Sequence, residues 1–251
     1  MRITQLRQNK YITTIIVILF WLLVWQGCSK LTSSRILFAS PLHVLETLFH
    51  LIQSAAFWNA ILFSTLRIAI GFFLAMLCGI LLAVFAACSK LIRLLLSPLI
   101  RLMKAVPVVS FVILALLWIK SSNLSILIAF VMVLPIIYTN ILQGIDNTDH
   151  KLLEMATVFR MSFFRKIRYI YVPSVLPAFV SAASVSLGFC WKSGIAAEVI
   201  GLPAGSIGEK LYEAKLYLMT GELFAWTAII ILVSIVFEKL VMLLIRKLAG
   251  Q

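Results

Sequence analysis

At 251 residues, of which 63% are apolar and only 12% charged, the chain lies outside the composition of soluble domains and inside that of integral membrane proteins. Its formal charge of +13 would point a soluble domain toward nucleic acid, but here the basic residues flank long apolar runs, where they set orientation in a bilayer, so nucleic acid is excluded as a partner. The four cysteines, Cys28, Cys78, Cys88 and Cys190, have neither metal nor redox spacing and read as small buried side chains in or beside apolar runs.

A crossing helix needs about 20 apolar residues. The first such run, 11–27, follows Arg2, Arg7 and Lys10, which is also how a signal peptide begins. Trp25 and Gln26 are poor residues before a cleavage site, and apolar spans follow throughout, so 11–27 reads as an uncleaved first span. Ser40 and Pro41 supply an N-cap and first helical position for a short surface helix. The second span covers 57–87 and the third 94–119, with a kink expected at Pro107, which has no backbone donor. The fourth is 124–145, the fifth 172–200 and the sixth 224–245, and a turn followed by a short amphipathic helix over 207–218 precedes the last. The expected fold is all-α, a polytopic membrane bundle of about six transmembrane helices in a single domain, 1–251.

With the N-terminus in the cytoplasm, Lys90, Arg93, Arg101, Lys104, Lys151, Arg160, Arg165, Lys166, Arg168, Lys239, Arg246 and Lys247 join Arg2, Arg7 and Lys10 on the inner side. Lys30, Arg35, Lys120, Lys210 and Lys215 fall outside, and Arg67 and Lys192 lie within spans. The excess of inner positive charge places both termini in the cytoplasm.

The largest inner loop is then 146–171. Asp149 caps a helix that carries Glu154 near the positive end of its dipole, while Leu152, Leu153, Ala156 and Phe159 recur at helical spacing as one apolar face. Ser162 caps a second short helix through Arg165, Lys166 and Arg168, and Pro173 enters the fifth span. Such an elbow, with an apolar stripe ringed by charge, suits docking in a groove of another protein. For the basic cluster, ordinary orientation in the bilayer is an equal explanation.

Glu154, Met155 and Ala156, a turn six residues after the glutamate, and Pro173 nineteen after it resemble the EAA loop of binding-protein-dependent ABC importer permeases. The stretches ASPLHVLETL, KAVPVVSFVILALLWI and GFCWKSGIAAEVIG, in that order around the loop, are similar to the nitrate/sulfonate/taurine subgroup. The resemblance implies that 154–161, with Glu154, Met155, Ala156, Phe159, Arg160 and Met161, forms a coupling helix seated on an ATPase subunit. It also implies a bacterial plasma (inner) membrane location, ATP-binding ABC subunits inside, a solute-binding protein outside and a second permease copy, amid membrane lipid. Two positions depart from the pattern. Met155 stands where alanine is usual, and Arg160 where a glycine with positive φ usually ends the helix, at a cost of about 1 kcal/mol.

Ionisable groups at bilayer depth cost about 3 kcal/mol or more, so Arg67, Lys192 and Glu198 call for a reason. Glu198 is read as close enough to the outer boundary to be wetted, with no deep acidic residue in the chain. Lys192 would give a translocation path a positive site for an anion, with Ser193, Glu198 and the kink at Pro107 as further candidate lining, and Ser193, Gly194, Ala196 and Ala197 would permit close helix approach. The plain alternative is that Lys192 and Arg67 satisfy carbonyls within the bundle. Neither catalytic residues nor a metal site is read: His43 and His50 are seven apart without a third ligand, and no glycine-rich phosphate loop is present. The chain is therefore not expected to be an enzyme or to carry a cofactor, and ATP hydrolysis belongs to another chain. The resemblance implies import of sulfonates, nitrate, taurine or related anions, or alternatively of thiamine precursors. An ion-coupled secondary transporter and a membrane-embedded assembly protein are the competing readings.

Overall fold

The computed structural model describes residues 2–31 and 38–248; Arg35 and the side chains of Arg2, Arg7 and Lys10, all counted in the charge bias above, lie outside the described part. Every regular element among the described residues is helical. In chain order they are α1 (Arg2–Leu31), α2 (Pro41–Ile52), α3 (Ala55–Cys88), α4 (Lys90–Ala105), α5 (Val108–Ala115), α6 (Ser121–Asp146), α7 (His150–Val158), α8 (Phe163–Lys166), a π-helical turn (Ile167–Tyr171), α9 (Val172–Gly201), α10 (Ile207–Leu216) and α11 (Thr220–Leu248). Five helices are long and apolar enough to cross a membrane, or six if the bent pair α4 and α5 is one crossing.

The chain forms two compact units, Met1–Trp58 with Lys210–Ile230, and Asn59–Glu209 with Ile231–Gln251. In the first, Ser40 caps α2 as expected, its hydroxyl accepting the His43 N–H at 3.3 Å, with Pro41 at the first helical position. The Trp25 indole N–H donates to the Ala39 carbonyl at 3.1 Å, and Trp25 and Phe38 close on the Phe224 ring. Ala39, Val44 and Ala225 are buried beneath them.

In the second unit α6 is the centre, with 61% of its apolar stretch buried, and α9 packs along it. Val112 and Ala115 of α5, Leu124 and Ile128 of α6 and Ala197 of α9 make one fully packed cluster. The Phe237 ring of α11 meets Phe72 of α3 and Trp191 of α9. Close approach depends on missing side chains: a Cβ on Gly71 would stand 2.4 Å from the Ile126 carbonyl oxygen, and one on Gly194 2.6 Å from Ile68. The small residues of α9 thus do permit the tight contact expected of them.

Three expectations are corrected here. The third span is not one helix over 94–119: α4 ends in an extended Val106, Pro107 begins α5, and the axes differ by 104°. A proline without an N–H, preceded by a residue it pushes out of the helical region, ends a helix rather than merely bending it. The helix after Ser162 is not a separate element either, since α8, the π turn and α9 run on as one apolar segment, Phe163–Gly201. The wide turn sits immediately before Pro173, whose ring would otherwise crowd the carbonyl four residues back, and the Val172 N–H accordingly reaches the Ile167 carbonyl. Finally, only Cys190 is buried, whereas Cys78 is half-buried and Cys28 and Cys88 are exposed on the chain.

Candidate functional site

The elbow is built by two local devices. Asp149 caps α7, its carboxylate accepting the Lys151 N–H at 2.9 Å. At the other end the Met161 N–H bonds the Ala156 carbonyl at 2.9 Å and the Arg160 N–H bonds the Thr157 carbonyl at 3.0 Å, with Arg160 in the left-handed region at φ 48°. This pair of bonds is a Schellman ending, the turn that glycine ordinarily serves. Arg160 therefore adopts the backbone of that turn in spite of its side chain. The turn reverses the chain into Ser162, whose side chain makes no capping bond, contrary to expectation.

The apolar stripe expected on the surface of α7 is divided: Phe159 and Leu152 are exposed as expected, Leu153 is half-buried and Ala156 is buried. Ala156 is fully buried, which roots the helix, whereas Phe159 lies beyond the last helical residue and is 73% exposed. Phe159 closes the helix in register, its N–H still bonding the Met155 carbonyl at 3.0 Å. What the elbow presents is Val158, Phe159, Phe163 and Phe164, all well exposed, beside the exposed Glu154 and half-exposed Met155. Met161 is half-buried inside the turn. Close by, Arg93 at the start of α4 pairs with Asp146 at the end of α6 at 2.6 Å, tying the two helices where the loop begins.

At the opposite end of α9 stands Glu198. Its exposure is 0%, so the expected wetting of this carboxylate is overturned. Its Oε2 accepts the Ser64 hydroxyl at 2.6 Å and the Gly208 N–H at 3.4 Å, and Ser64 Oγ accepts the Ile207 N–H at 3.0 Å. Ser206, also buried, caps the same helix by accepting the Glu209 N–H at 3.0 Å, and the Glu209 carboxylate reaches back to the Gly205 N–H. The first turn of α10 is thereby satisfied by groups from α3, α9 and its own cap.

Lys192 and Glu198 do not act together. Lys192 lies on the exposed side of α9, while Ser193 and Glu198 lie on the buried side. Arg67 follows the plain reading: its guanidinium donates to the Ser122 carbonyl and to Asn123 Oδ1 and stacks 4.2 Å over the Phe63 ring. Pro107 is exposed at the α4–α5 break. Ser64 and Gly208 were not singled out from the sequence, although Ser206 and Glu209, three apart before an apolar helix, carry a legible capping signal. Glu238 of α11, another carboxylate within a span, accepts the Ser184 hydroxyl of α9 at 3.2 Å.

Residues 75–250 match the family described as binding-protein-dependent transport system inner membrane component. The chain is 30% identical over 229 residues to a Bacillus subtilis protein named as an aliphatic sulfonates transport permease, SsuC, covering 90% of this chain and 82% of that one. It is 24% identical over 220 residues to the taurine transport system permease protein TauC of Escherichia coli, covering 85% and 80%. To the nitrate import permease protein NrtB of Synechococcus elongatus it is 29% identical over 155 residues, covering 61% and 55%. The elbow, Lys192 and Glu198 lie inside the family match, and Ser64 precedes it.

Proposed function

The chain belongs to the family of binding-protein-dependent transport system inner membrane components, and from that premise we propose that it is the permease of an ATP-driven importer for a small anionic solute of the sulfonate, taurine or nitrate kind. Both termini face the cytoplasm. A separate ATPase subunit docks on the elbow through Glu154, Met155, Phe159 and Arg160, with Ala156 and Met161 holding the elbow's shape. A solute-binding protein delivers cargo on the outer side, and two permease copies surround the path, with Lys192 on the exposed side of α9 offering it a positive site and Pro107 near its lining, while Ser193 faces the packed side of α9. Glu198 is withdrawn from the path, because a carboxylate with 0% exposure cannot meet a solute.

The observation that carries this reading is the elbow itself. An exposed apolar knob of four residues, rimmed by charge, is fixed by a hydrogen-bonded turn to the head of one continuous helical segment, Phe163–Gly201. Drawing two ATPases together would move such a knob, and with it α9, between two settings; a two-state element biased at both ends is what coupling requires. The test is reconstitution in vesicles with the genetically adjacent ATPase and binding protein, followed by uptake of labelled taurine, nitrate and a thiamine precursor. ATP-dependent uptake of nitrate, or of taurine through its sulfonate group, supports the reading. Uptake by the chain alone, driven by an ion gradient, would refute it, and preference for the thiamine precursor would replace the cargo.

A further inference from the structure

The buried Glu198 cluster has no part in the function proposed above, yet it joins three helices. Ser64 comes from α3, Glu198 from the last turn of α9, and Ile207 and Gly208 from the first turn of α10. A carboxylate at a helix N-terminus faces the positive end of the dipole and the orphan N–H groups, which is where a negative charge is best tolerated away from water. The 2.6 Å bond from Ser64 lies at the short end of hydroxyl hydrogen bonds. Arg67, three residues along α3 from Ser64, is spent on Ser122 and Asn123. The fit admits nothing larger than glycine at 208, because a Cβ there would lie 2.3 Å from Glu198 Cβ and 2.5 Å from its carbonyl carbon. Backbone therefore meets backbone at this point.

We infer that Glu198 is a positioning residue for transport: through Ser64 and the Ile207 and Gly208 amides it locks the entry turn of α10 to α3 and α9, so that this turn moves with α9 when the elbow at the other end of α9 is displaced. The lock rests on the geometry alone, and its part in transport rests on the coupling reading above. Glu198 and the elbow stand at the two ends of one unbroken helical segment, so a displacement received at Phe163 is delivered at Gly201 without an intervening loop.

The test measures amide exchange over 203–216 in the bilayer-embedded chain, and uptake per ATP hydrolysed in the reconstituted transporter. Glu198→Ala should speed exchange at Ile207 and Gly208 by about tenfold, since Gly208 loses its acceptor and Ile207 loses the group that holds Ser64 in place, while α6 stays protected. It should also lower uptake per ATP severalfold while ATP is still hydrolysed. Glu198→Gln, which keeps an acceptor oxygen in place, should recover most of both. Unchanged exchange at Ile207 and Gly208 in Glu198→Ala would overturn the lock, and faster exchange with normal uptake per ATP would overturn its role in transport. If Glu198→Ala fails to insert, Ser64→Ala decides: it should speed exchange at Ile207 more than at Gly208, and equal protection of both would overturn the assignment. A wild-type assembly that hydrolyses no ATP counts against the permease reading alone, since the exchange result still decides the lock.

Discussion

Replacing Arg160 tests the elbow at its tightest point. The residue holds φ at 48° while the two bonds that end α7 pass through it and Met161. A non-glycine residue in that region costs about 1–2 kcal/mol. Glycine removes this cost but gives back about 0.4–1 kcal/mol by freeing the unfolded chain. Arg160→Gly should then tighten the turn by about 0.5–1 kcal/mol, which is roughly a two- to fivefold slowing of amide exchange at Arg160 and Met161. Arg160→Val should act in the other direction by at least about 1 kcal/mol, because a branched Cβ fits the left-handed region worse than an unbranched one. Exchange mass spectrometry over 155–163, with the protein in a bilayer, reads both changes. Faster exchange in the glycine variant, or protection in the valine variant equal to wild type, would refute the strained-turn argument. Because the proposed ATPase contact includes the Arg160 side chain, uptake by the glycine variant should fall although its turn is intact, and uptake equal to wild type would remove the guanidinium from that contact.

Glu154→Lys reverses the charge on the exposed rim of the elbow and should abolish uptake while membrane insertion, followed by protease mapping, is unaffected. Lys192→Ala removes the positive group on the open side of α9 and should weaken uptake of an anionic solute several-fold with assembly unchanged; ordinary uptake kinetics would return Lys192 to a structural role. Gly71→Ala should destabilise the solubilised protein by about 1–3 kcal/mol, because its Cβ would press on the Ile126 backbone, which cannot rotate away. Gly188→Ala, with nothing within 4 Å of the new carbon, should instead leave the thermal midpoint equal or raised.

Much of this was readable from the residues because membrane helices are set by the length of apolar runs, and the runs of α3, α6 and α11 are long and unbroken. The family likeness seen at Glu154, Ala156 and Pro173 extends over 75–250. Pro107 gave away the position of a break but not its size, since the 104° angle also depends on Val106 being extended. Helical spacing put Ala156 on the surface stripe with Phe159, but which side of a short helix packs against its neighbours is a tertiary matter, and Ala156 is buried while Phe159 is exposed. Glu198 was the largest miss. Its closest partner, Ser64, lies 134 residues away, and no local spacing announces a bond of that reach; a lone carboxylate near the end of an apolar run is equally compatible with water. The two donors to Glu198, the Ser64 hydroxyl and the Gly208 N–H, are found only once α3, α9 and the start of α10 are packed.

The length of the helical segment Phe163–Gly201 has one more consequence. Its 39 residues measure roughly 58 Å at 1.5 Å per residue, more than the 40–45 Å of a bilayer with its headgroups. Standing near the membrane normal it would project into water at one end, and the segment would then behave as a lever whose arm outruns the membrane. Pivoting by only about 5° would sweep its tip through roughly 5 Å, one helical turn, so a subtle leaning of the helix within the lipid becomes a stroke that a neighbouring protein can grip.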